Sequence, residues 1–216
     1  MFQHRPAVLR EWGLEKHRRS HRRIVHSEID VKSWAQAPPS CSAARPSSCV
    51  ACGAASREPG KPIVLVGHGL RPRTVEGPTA PGETPTSVEL AARRYACRAC
   101  DAIVLVVPLG VGRGTRYTLE AIAYALALWG YAGAKAAAAR AATSAARARG
   151  FASPEQWSSL RRWTACAVAL FGAPMASGTL RERAARVAAW LASRAPVPTG
   201  SVPQDAFFGG RFAAAP

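Results

Sequence analysis

The sequence predicts an α+β protein: a small zinc-ribbon-like β module followed by a three- or four-helix, helix-turn-helix-like domain, with disordered termini. Three observations carry this expectation. Two cysteine pairs, Cys49-Val50-Ala51-Cys52 and Cys97-Arg98-Ala99-Cys100, lie beside short β-prone runs. Beyond residue 116 the apolar residues change to helical spacing, with Leu119, Ile122, Leu126 and Trp129 three or four apart. Both ends of the chain are rich in charge, proline or glycine instead of periodic apolar residues.

Residues 1–48 read as a basic arm and linker. The densest charge runs from Lys16 to Arg23, and residues 35–48 form a Pro/Ser/Ala-rich stretch. His17 and His21 stand four apart, a spacing that can place two ligands on one helix face. With no thiol beside them and a dense run of basic residues around them, they read as part of a solvated arm.

Residues 49–108 read as the zinc-ribbon-like module. Ile63 to Val66 is a short strand after Pro62, and residues 71–87 form a loop rich in Pro, Gly, Thr and Glu. Arg93 to Ala96 and Ile103 to Val107 flank the second cysteine pair as two strands of a hairpin. Two residues between paired thiolates let both sulfurs of a tight turn reach one ion. Two such turns supply the four soft ligands of a tetrahedral structural zinc, so Cys49, Cys52, Cys97 and Cys100 are the expected metal ligands. His68, between the pairs in Gly67-His68-Gly69, is a weaker candidate ligand and reads as a turn residue.

Residues 109–116 read as a glycine-rich hinge. Gly110-Val111-Gly112-Arg113-Gly114 lacks the lysine and hydroxyl residue of a phosphate-binding loop. Residues 117–194 form the helical domain. Thr118 caps a first helix to Trp129, and an alanine-rich second helix runs from Ala134 to Arg149. Ser153, Pro154 and Gln156 start a third with a capping-box pattern, and a fourth spans Leu180 to Arg194. Residues 195–216 read as a disordered tail.

With 29 Lys+Arg against 13 Asp+Glu, the net charge is +16, which favours polyanionic partners and salt-sensitive binding. Within the helical domain, Lys135, Arg140, Arg147, Arg149, Arg161 and Arg162 are the candidate DNA-binding residues. Arg161 and Arg162 are placed to read bases, and the others to hold the backbone. The carboxylates are scattered, and no nucleophile has an evident His/Asp partner set, so the expectation is no enzymatic activity. No secretory signal or membrane-spanning run is evident, so a cytoplasmic, reducing setting is expected, where such thiols bind metal. Cys41 and Cys166, without close partners, read as small apolar residues.

About residues 49–171, the chain resembles a bacterial insertion-element-associated family of uncharacterised function. The resemblance rests on Cys49-x-x-Cys52-Gly53, on Gly67-His68-Gly69, on Arg93-Arg94-Tyr95-Ala96-Cys97-Arg98-Ala99-Cys100, and on Arg116 to Ala123 leading to Trp129-Gly130. Leu160-Arg161-Arg162-Trp163 is similar to the end of its recognition segment. The resemblance implies a zinc ribbon joined to a transposase-type helix-turn-helix, and hence the DNA-recognition part of a mobile-element protein, without the acidic catalytic half. Asp101 stands where such turns carry glycine. Double-stranded DNA is thus the expected partner. RNA binding and a protein-interaction adaptor anchored by Trp157, Trp163 and Trp190 are the alternatives.

Overall fold

The computed structural model describes residues 23–145, 157–174 and 177–213. Its centre is a four-stranded mixed sheet in the order β1-β4-β3-β2. The strands are β1 (Arg23–His26), β2 (Leu65–Gly77), β3 (Thr86–Cys97) and β4 (Ile103–Val107). β1 runs parallel to β4, while β4, β3 and β2 are successive antiparallel neighbours. Helix α1 (Val31–Gln36) precedes β2. After the sheet come α2 (Leu119–Leu126), a π-helical turn (Ala127–Tyr131), α3 (Ala136–Ala141), α4 (Ser158–Ala165), α5 (Ala167–Phe171), α6 (Leu180–Ala192) and α7 (Val202–Phe212). Among the described residues, no helix is long and apolar enough to cross a membrane.

This arrangement overturns the expected ribbon-then-helices fold with disordered termini. The sheet begins in the stretch expected to be a free arm, where β1 lies beside β4. Asp30 caps α1 by accepting the Ser33 N–H at 3.0 Å. Trp34, from the same stretch, is fully buried and donates its indole N–H to the Ala91 carbonyl at 3.2 Å. The signal is four apolar residues, Ile24, Val25, Ile29 and Val31, packed against the sheet core and surrounded by charge that masks them in composition.

The stretch read as a long loop is mostly strand. β2 continues to Gly77 and β3 starts at Thr86, in register from Leu70 opposite Arg93 to Gly77 opposite Thr86. Pro72 is tolerated there because β2 is an edge strand, whose outward side needs no N–H donor.

The C-terminal correction is similar. α7 packs on α2 and α6 where a disordered tail was expected. Its start is signalled by Ser201 at the N-cap with Pro203 just inside the first turn. Gly210 permits the close approach to α2: a Cβ there would meet Ala123 Cβ at 2.6 Å and the Leu119 carbonyl at 3.0 Å.

Among the described residues, the helical half does not show the expected helix-turn-helix. The expected second helix, Ala134 to Arg149, is confined to the six residues of α3 among those described, and α2, α6 and α7 form the tightly packed group. The capping box expected at Ser153–Gln156 lies outside the described residues. A complete box instead starts α6, where Thr179 accepts the Glu182 N–H and Glu182 accepts the Thr179 N–H.

Two apolar clusters result. Trp34, Leu65, Leu90, Tyr95, Val104 and Val107 belong to the sheet's. Leu119, Ile122, Leu126, Trp163, Phe171 and Leu191 belong to the helices'. The seam between them is polar and buried. Glu76, 1% exposed, takes the Arg116 guanidinium at 2.6 Å and the Ser144 hydroxyl at 3.3 Å. Its backbone exchanges two hydrogen bonds with residues 116 and 118.

Candidate metal centre

The four cysteines sit on two turns of the same design. In the first, the Cys49 N–H donates to the Ala54 carbonyl at 2.8 Å and the Gly53 N–H returns to the Cys49 carbonyl at 2.7 Å. In the second, the Cys97 N–H donates to the Ala102 carbonyl at 3.0 Å and the Asp101 N–H returns to the Cys97 carbonyl at 2.9 Å. The first turn hangs on a single antiparallel bridge between Ser48 and Ala55. The second closes the β3–β4 hairpin. The Arg98 N–H also donates to the Val64 carbonyl at 3.0 Å, which ties the second turn to the entry of β2.

Both turns need a left-handed residue after the second cysteine. Gly53 takes φ 75°, and Asp101 takes φ 57° as the single non-glycine residue with positive φ among those described. Asp tolerates this region better than most side chains, at a steric cost glycine does not bear.

All four sulfurs lie within 4.8 Å of one another. Cys49 Sγ is 3.8 Å from Cys100 Sγ, and Cys52 Sγ is 3.8 Å from Cys97 Sγ. Sulfurs held about 2.3 Å from one tetrahedral ion stand about 3.8 Å apart, so the spacing fits a four-thiolate ion such as zinc. None of the cysteines is in a disulfide. Cys49 and Cys97 are buried, Cys100 is half-buried and Cys52 is exposed, so the site closes on the sheet side and opens to solvent on the other.

The thiols do not share one electrostatic environment. Burial pushes Cys49 upward, but the Ala51 and Cys52 N–H groups outweigh it and bring it down to about 7. Burial raises Cys97. The Ala102 N–H favours a thiolate at Cys100, yet the sulfurs of Cys52, Cys97 and Cys49 together with desolvation push it up to about 12. Four crowded sulfurs cannot all be thiolates unless a cation shares the site. The donor set therefore fits a soft divalent ion and is not specific to zinc.

The other candidates stand apart from this cluster. His68 is exposed, at the irregularity in β2 between Gly67 and Leu70, and is not among the clustered ligands. Arg161 and Arg162 are exposed on α4, Lys135 is exposed at the N-cap of α3, and Arg140 is half-buried in its last turn. Arg147 and Arg149 lie outside the described residues. The glycine-rich segment 109–116 is docked on the sheet: Val111 is fully buried, and its carbonyl lies 3.0 Å from His26 Nε2. Sequence reasoning passed over arginines of the sheet itself: Arg71 and Arg73, whose stretch read as loop, and Arg94, which lies in a run read as strand.

Comparison with family models, with curated proteins and with solved structures finds no match to this chain.

Proposed function

We propose that this chain is a non-enzymatic double-stranded DNA-binding protein whose sheet end is held together by one zinc ion on Cys49, Cys52, Cys97 and Cys100. The observation that carries the metal half is the convergence of four sulfurs within 4.8 Å of one another, with two pairs at 3.8 Å. The ion is structural in this reading. All four positions are filled by protein thiolates, leaving none for a substrate or water. It joins the segment around residue 50 to the β3–β4 turn, two regions separated by 44 residues of chain between Cys52 and Cys97.

The DNA half rests on charge. The chain carries +16, and three ion pairs engage basic side chains among the described residues. Arg161 and Arg162 project from α4 into solvent and are proposed to reach DNA, together with Lys135 and Arg140. Three buried carboxylates hold partners within the fold, with Glu120 Oε2 left unpaired. Glu76 holds Arg116, Glu120 holds Arg211 at 2.9 Å, and Asp205 accepts the N–H and hydroxyl of Thr199 at 2.7 Å each. In this reading the protein works in a cytoplasmic setting as the DNA-recognition part of a mobile-element product, the role that the resemblance noted in the sequence implies.

The test is duplex binding across a salt series. The expected result is affinity that falls steeply with salt and drops further in Arg161→Ala/Arg162→Ala, with the variant's melting temperature unchanged. Absence of binding at low salt would reject the DNA reading and leave the metal site standing.

A further inference from the structure

One face of the sheet carries a positively charged cleft that the metal centre does not explain. Its volume is about 390 Å³, and its floor is apolar, formed by Ile24, Ala92 and Leu105 from three strands. Arg71 and Arg73 enter from β2, and Arg113 enters from the docked glycine-rich segment. No carboxylate lines the cleft, and among the described residues none of these three arginines is ion-paired. By register, Arg94 lies on the same face, opposite Leu105, which in turn pairs with Ile24.

Arg73 differs from its neighbours in being fixed. Its Nη2 donates to the Gly112 carbonyl and, at 2.9 Å, to the Thr115 carbonyl. The guanidinium is half-buried, and burial together with the charge of Arg71 makes its protonated form less favourable than usual. A guanidinium has five donors in a planar fork, so the two carbonyls leave part of that fork for another acceptor. Arg71 and Arg113 are exposed at the rim and free to close on the same acceptor. Three uncompensated guanidiniums converging on one concavity, one of them held in place by backbone, form a receptor for an oxyanion of tetrahedral shape.

We propose that the cleft lined by Arg71, Arg73 and Arg113 binds a phosphate group, and that its source is the backbone of a nucleic-acid strand laid across this face of the sheet. The proposal rests on the DNA reading above for the source of the phosphate, but the anion site itself does not. The apolar floor fits the sugar edge beside a phosphodiester, and the open rim lets a strand continue past it. This puts a phosphate contact on the sheet, away from the α4 arginines.

The experiment compares the wild type with Arg71→Ala/Arg113→Ala, both exposed positions. Arg73→Lys is a third protein that keeps the charge but loses the fork. Each is titrated with a short duplex at several salt concentrations and, separately, with inorganic phosphate. Melting curves confirm that all three are folded. The expected result is a salt-dependence slope shallower by about one in the double variant, since the cleft holds one phosphate and each neutralised phosphate contributes about 0.9 to the slope. A roughly tenfold or greater loss of affinity at low salt accompanies it, with a smaller loss for Arg73→Lys. Duplex binding with slope and affinity unchanged in the double variant would overturn the phosphate site while leaving the DNA reading intact. Phosphate binding that depends on Arg71 and Arg113, without any duplex binding, would uphold the anion site and overturn its nucleic-acid source. Binding of neither probe by the wild type would overturn both.

Discussion

Asp101 occupies in the second cysteine turn the position that Gly53 occupies in the first. Both are left-handed, at φ 57° and 75°, and each donates its N–H to the carbonyl of the cysteine four residues earlier. The geometry of the ion site is thus built twice by the same hydrogen bonds, once with the residue the turn prefers and once without it.

Replacing Asp101 by glycine is therefore expected to stabilise the protein, by about 0.5–1 kcal/mol. It removes a left-handed penalty of about 1–2 kcal/mol for an L-residue, less a partial offset from the freer unfolded chain. Asp101→Val is expected to lose about 1–2 kcal/mol, because a β-branched side chain is poorly tolerated there. Chemical denaturation of the two variants beside the wild type checks both signs.

The N-terminal segment is expected to matter as much as the sheet it supports. Trp34 is wholly enclosed and hydrogen-bonded to the Ala91 carbonyl, so Trp34→Ala opens a cavity and leaves that carbonyl without its indole donor. Large aromatic-to-alanine changes in cores cost about 3–5 kcal/mol, a large share of an ordinary domain's stability. The expected outcome is a much lower denaturation midpoint or failure to accumulate folded protein. A loss below 1 kcal/mol would mean that α1 is not part of the core.

Glu120 supplies the pH test. It is 4% exposed, its Oε1 takes Arg211 Nε at 2.9 Å, and its Oε2 has no partner. Burial raises its titration above the usual carboxylate range, with Arg211 opposing. A raised folded value means that the neutral acid is the form the fold prefers. Its contribution is complete below the unfolded value near 4.3 and declines as pH rises through the folded one. Arg211→Gln removes the opposing charge, so the variant is expected to lose more stability at pH 7–8 than at pH 4–5, relative to wild type. Arg211 is 30% exposed, and the loss at neutral pH is accordingly placed at about 2–3 kcal/mol, below the range for fully buried pairs. Adding Glu120→Gln should flatten the difference. Melting temperatures of wild type and variants across pH decide it, because the shared thiolate contribution cancels in the comparison.

The cysteine pairs were legible in the sequence because a metal site is written locally, in the two-residue gap within each pair. That both pairs would meet across 44 intervening residues followed from ligand chemistry alone. The first helix was legible too, from Thr118 and the spacing of Leu119, Ile122 and Leu126, and Thr118 does accept the Ala121 N–H at 3.2 Å. The sheet's fourth strand was not. β1 is four residues long and pairs with β4, so nothing near it in sequence announces its partner. β2 was obscured by Pro72 and its glycines, which argue against a central strand but not against an edge. α7 was hidden by Gly209 and Gly210, which lower helix propensity in isolation yet are what allow it to lie against Ala123 and Leu191. Tertiary packing overrode local preference at each of these places.

Metal content measures the central claim directly. Protein purified under reducing conditions is expected to carry about one zinc per chain by elemental analysis. Cys97→Ser/Cys100→Ser should carry essentially none and melt at a lower temperature. A folded wild-type protein with no bound transition metal, and with stability indifferent to both substitutions, would contradict the account.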